Sequence, residues 1–152
     1  MGLLWRAMLL GVELNGIWIG PGADLSGANL CGASLKHVHL TGANLSGADL
    51  SAANLNGAFL SKANLTNTNL EYADLRNVFF QDAILVGVNL QGANLKGANF
   101  FGLNLTGANL TDANLKKANL GRANLTGANL TDTNLTGAYL AGATMPDGTI
   151  HD

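Results

Sequence analysis

From Leu25 onward, every fifth residue is apolar, and the series runs without a gap to Ile150. It is Leu at each step except Phe80, Phe100, Met145 and Ile150. Two places before each of these stands a small residue, Ala in most units and Val38, Thr68, Val78, Val88, Leu103, Thr133 or Gly148 in the rest. A helix would carry such a series around all its sides, and a strand would send alternate members to opposite faces. A chain that turns a corner of about a quarter turn after each short segment brings all of them inward, and four such segments close a square coil of twenty residues.

Columns of like residues distinguish a coil of twenty from one of fifteen. Phe59 and Phe79, Phe80 and Phe100, and Asp112 and Asp132 each lie twenty apart, as do Arg76, Lys96 and Lys116, with Lys36 further back in the same column. Coils paired through their backbones at ~4.8 Å would make a rod roughly 30 Å long.

The recurring phrase A(N/D)LxG, clearest from Leu105 to Leu140, resembles the pentapeptide-repeat proteins, and the likeness extends from Ala23 to Ile150. The resemblance implies an all-β fold, a right-handed quadrilateral β-helix whose narrow interior is filled by the central Leu or Phe and the neighbouring small residue. It implies less about function. Some members, the quinolone-resistance proteins, are similar to a DNA duplex in shape and charge and bind gyrase.

No linker divides the repeat, so residues 23–152 read as one β-helical unit, with residues 1–22 a degenerate first coil or a short N-terminal cap. Val12-Glu13-Leu14 and Ile17-Trp18-Ile19 fill the same three places as Ala23-Asp24-Leu25, which favours a coil from about Val12. Leu3, Ala7, Leu10 and Leu14 are helically spaced, which favours a short helix ahead of it. The uncharged run between Arg6 and Glu13 is too short for a membrane span or a secretory core, so no membrane association is expected. At the other end, Met145-Pro146-Asp147-Gly148 is a turn signal followed by no bulky cap, which makes the C-terminal coil a candidate for an end-to-end homodimer contact.

Charged residues make up only 12% of the chain and the net charge is −2, so no long-range attraction to nucleic acid or an anionic membrane is expected. A single cysteine, Cys31, excludes an internal disulfide and fits a reducing, cytoplasmic compartment. No nucleophile elbow, phosphate-binding glycine loop or zinc-ligand spacing is present, which points to a protein without catalytic, cofactor or metal site. His37 and His39 are aimed apart by the corner between them. A filled interior also predicts no cleft.

Two outer faces are candidates for a protein partner. One carries outward apolar residues where Asn, Ser or Thr is usual, namely Phe59, Phe79, Ile84, Val86 and Phe101. The other carries a basic stripe, Lys36, Arg76, Lys96, Lys116 and Lys117. A further face holds Asp49, Glu71, Asp112 and Asp132. The favoured expectation is a non-enzymatic interaction scaffold with an unidentified protein partner; the alternative is a DNA-mimicking inhibitor or protector of gyrase, which the modest acidity disfavours.

Overall fold

The computed structural model describes residues 12–14 and 17–152. From Ala23 on, each unit repeats one local plan. The residue before the central Leu is extended, and a tight turn follows, closed by a bond such as that from the Ala28 N–H to the Leu25 carbonyl at 3.0 Å. Its third residue has a left-handed φ, as at Gly27 (φ 64°). That geometry is the reason glycine recurs there.

The Asn of the repeat holds the turn from outside. Asn64 Oδ1 accepts the Thr66 N–H at 3.1 Å and the Thr66 hydroxyl at 2.7 Å. This is an Asx turn, for which Asn and Asp have the right reach. Some of the same side chains also bond up the rod, as Asn89 does to Asn69 at 2.9 Å.

Successive coils pair in parallel, residue i with i + 20, from Asp24 with Asn44 to Asn124 with Thr144. Each side contributes one bridge, so the coil has four sides and twenty residues. The inward residues meet there: Leu40, Leu45, Leu50 and Leu55 are fully buried, as are Ala58 and Ala63 between them and their neighbours. Where Thr68 replaces Ala, its hydroxyl donates to the Leu45 carbonyl at 2.7 Å, so the buried oxygen is satisfied.

The two ends differ from the regular coils. Strand β1 (Val12–Leu14) pairs with β2 (Ile17–Ile19) antiparallel, with Val12 opposite Ile19. Successive sides of a coil cannot pair with each other in this way, so these two tripeptides form a hairpin rather than a degenerate coil. The helix considered for the first residues lies outside the described residues. At the other end the repeat stops at Met145. Gly148 (φ 86°) lets the chain reverse, and Thr144 pairs antiparallel with Ile150. Ile150 is therefore 60% exposed and not inward. Leu130, Leu135, Leu140 and Met145 are only half-buried, because no further coil covers them. Among the described residues, no helix is long and apolar enough to cross a membrane.

Candidate functional site

The outward apolar residues are held by the coil register, which stacks His39, Phe59 and Phe79 in one column. His39 lies on Phe59 with ring centroids 4.3 Å apart, and Phe59 on Phe79 at 4.9 Å and 7° from parallel. Phe59 is half-buried between its two neighbours, whereas Phe79 is 53% exposed. Ile84 is 47% exposed around the corner, with Val86 half-buried beside it. Of the five residues of the expected strip, Phe79, Ile84 and Phe101 are exposed, while Phe59 and Val86 are only partly so. His37 lies over Gly57 rather than beside His39, so the two histidines occupy different columns.

Phe101 stands in a separate column from Phe79. Above it is Gly121, which is buried; a Cβ there would meet Phe101 at 3.1 Å and Tyr139 at 2.8 Å. Glycine is needed because two aromatic rings close over that backbone. The Arg122 guanidinium lies 5.8 Å from the Phe101 ring centroid, within cation–π range.

Beside these rings the stacked backbone parts. Throughout Leu25 to Leu125 the central N–H donates to the carbonyl 19 residues on, as Leu60 does to Phe79 at 2.9 Å, except at Phe80 and Leu85. The bonds that the register would place from Asn77, Asp82, Asn99 and Asn104 to the facing coil also fall outside hydrogen-bond geometry, and the bridge between Phe79 and Asn99 is missing, whereas that between Ile84 and Asn104 on the next side is kept. The result is a cavity of ≈ 410 Å³ between two coils, lined by residues 78–82 on one side and by Asn99 and residues 101–103 on the other, with Ser61 below. The expectation of a rod without a cleft fails here.

Large side chains meet inside the rod beside this opening. Phe80 faces Phe100 at 5.2 Å, and Leu103 stands where Ala is usual, beneath Ala123 and above Ala83. Phe80 belongs to one of the two parted coils and Phe100 and Leu103 to the other, and overpacking by large side chains is a physical way to move backbone. The signal was in the sequence, in two Phe twenty residues apart and a Leu in the small position.

The basic stripe is exposed along its length. Arg76, however, is engaged, giving Nε to Asp74 Oδ1 at 2.9 Å and a terminal nitrogen to Oδ2 at 2.7 Å. The Arg76 side-chain hydrogen bonds hold the Asp74 carboxyl below its ordinary value, and Asp74 in turn raises Arg76. On the acidic face, hydrogen bonds from Ser51, with a smaller one from Asn69, lower Asp49.

The sequence profile of pentapeptide repeats matches in eight copies spread over residues 21–145. Among the curated proteins none matches. Among solved structures, the chain is similar to a pentapeptide repeat protein, Rfr23, from the cyanobacterium Cyanothece 51142, at 34% identity over 98% of this chain and 97% of that one, with a TM-score of 0.35. HetL, a pentapeptide repeat protein involved in heterocyst differentiation regulation from Nostoc sp. strain PCC 7120, is 39% identical over 86% of this chain, with a TM-score of 0.35. The chain spans 65% of HetL, short of two thirds of its length. QnrB1, a plasmid-mediated fluoroquinolone resistance protein, is 19% identical over 82% of this chain and 68% of that one, with a TM-score of 0.62, a likeness of fold alone. With its repeat intact from residue 21 to residue 145, the chain belongs to the pentapeptide-repeat family.

Proposed function

We propose that this protein is a non-enzymatic interaction scaffold, a right-handed quadrilateral β-helix that binds a protein partner through the apolar strip of Phe79, Ile84 and Phe101, with Phe59 and Val86 supporting it. The observation that carries the reading is that three large apolar side chains, each about half exposed, cluster near the middle of a rod whose outer surface is otherwise mainly small and polar. Burying each such side chain contributes ~1.5 to 3 kcal/mol, against ~0 to 1 for an exposed ion pair, so the strip can anchor what the basic stripe can only steer. Aromatic residues are also the usual centres of binding energy.

The test is the pair Phe79→Ser with Phe101→Ser, expected to abolish co-purification of the partner with the fold retained. A double variant that keeps every partner and only melts earlier refutes the reading. Charge reversal at Lys96 and Lys116 is expected to alter the association rate and its salt dependence instead. The incompletely covered Leu130, Leu135, Leu140 and Met145 support a weaker second contact, an end-to-end homodimer, checked by sedimentation.

A further inference from the structure

We infer that the gap between the coils at residues 78–82 and 99–103 is a binding site for a planar aromatic side chain with a polar edge, a tyrosine or tryptophan carried on an extended segment of a protein partner. The inference rests on the contact-strip reading above and names what the strip takes.

Three observations converge. The first is an unfinished column. Phe79 has Phe59 parallel against one side, and the residue next in the column is Asn99, whose side chain is turned to its own turn, where Oδ1 accepts the Phe101 N–H at 3.1 Å. Asn99 therefore supplies no ring to continue the stack, and Phe79 lines the cavity. A ring entering there becomes the fourth member after His39, Phe59 and Phe79, and flat faces favour a flat ligand over a branched one.

The second is the set of freed backbone groups. The N–H groups of Phe80, Asp82 and Asn99 and the carbonyls of Val78, Asn99 and Phe101 have lost their inter-coil partners, all at this one step. Their residues line the cavity. Donors and acceptors of this type are what an extended peptide pairs with. They also suit the hydroxyl or indole N–H at the edge of Tyr or Trp, which seeks a partner when buried.

The third is size. The cavity, at ≈ 410 Å³, falls within the range of ligand sites, roughly 300 to 1,000 Å³. A ring with a short piece of main chain fits that range; a whole strand inserted between coils does not, since Phe80 and Phe100 remain in contact behind the opening at 5.2 Å.

The experiment is an amide NMR titration of the full chain with N-acetyl-tyrosinamide and, separately, N-acetyl-leucinamide. Saturable shifts at Phe80, Asp82 and Asn99, with the leucine probe at least ~5-fold weaker, are expected from the stacking preference. Equal binding of the two probes, or shifts spread evenly along the rod, overturns the inference. Leu103→Ala, which lets the coils close, is expected to abolish the shifts; Phe79→Ala, an outward change, removes the platform and is expected to do the same should the first variant not fold. A folded Leu103→Ala that binds the tyrosine probe unchanged overturns the inference. Partner co-purification separates the two readings: if the partner survives Leu103→Ala but is lost with Phe79→Ser and Phe101→Ser, the strip reading stands and the cleft inference fails.

Discussion

Phe80 stacks on Phe100 with centroids 5.2 Å apart and planes 21° from parallel, and the backbones carrying the two rings do not bond to each other. Outside the rod, Phe59 stacks on Phe79 at 4.9 Å with the ladder between their coils intact. An outward ring can lean into solvent to find its spacing. An inward ring cannot, and beside Phe80 and Phe100 the coils part.

Leu103→Ala is therefore expected to behave unlike other core truncations. Removing a well-packed buried Leu costs ~2 to 5 kcal/mol. Here relief of overpacking, ~1 to 3 kcal/mol, offsets much of that loss. Hydrogen exchange is the measurement: the amides of Phe80 and Asn99 should become more protected in the variant. Unchanged exchange at both would remove Leu103 as the cause of the parting.

Leu95→Ala supplies the contrast, since Leu95 is fully buried and its N–H donates to Asn114 at 2.9 Å in an unbroken ladder. The expected loss is ~2 to 5 kcal/mol in denaturant melts. Asn94→Ala, one residue away and pointing outward, should cost less than about 1 kcal/mol. Equal losses would mean inside and outside have been assigned wrongly.

The left-handed turn position gives a prediction free of steric contact. A Cβ at Gly107 (φ 68°) meets nothing within 4 Å, so Gly107→Val should lose stability through backbone strain alone, ~1 to 2 kcal/mol. Ala52 occupies the same position at φ 55°, and Ala52→Gly should be neutral or stabilising by up to ~1 kcal/mol. Thermal melts of the two variants should move in opposite directions or differ by several degrees.

Acid sensitivity should trace in part to Asp74. Its carboxyl is lowered chiefly by the hydrogen bonds from Arg76, so the folded state binds its proton less readily than the unfolded chain. The stabilisation is fully present above the ordinary carboxylate value, ~3.9, and is lost as pH falls through the lowered folded value. Asp74→Asn is expected to cost up to ~1 kcal/mol at neutral pH, a small figure because Arg76 is half exposed. Urea melts across pH should show wild type and variant converging in acid.

The interior was readable from sequence because one steric rule repeats: Leu45, Leu65 and Leu105 each land inward by counting alone, and each is fully buried. The outward column of Phe59 and Phe79 followed from the same count. What counting missed depends on size and chain direction rather than period. The tally of apolar positions includes Ile150 without distinction, yet it lies on a chain already reversed, and marking Leu103 as an exception at a small position does not by itself reveal that the coils part beside it. The hairpin of Val12–Leu14 and Ile17–Ile19 has the residue types of two repeat units, and pairing direction is not encoded in those types.

The twenty-residue register also decides which changes of length this chain can absorb. Loss of one residue turns every later inward side chain out of place. Loss of five restores the interior but carries all later residues to the adjacent side, so that Asn104 would stand over Phe79 and the column ending there would continue with the wrong neighbours. Only excision of twenty leaves both the inside and the outside in step, shortening the rod by one layer, about 4.8 Å. Inheritance by duplication or deletion thus works in whole layers, and a surface feature built at one height can be moved along the rod without being rebuilt.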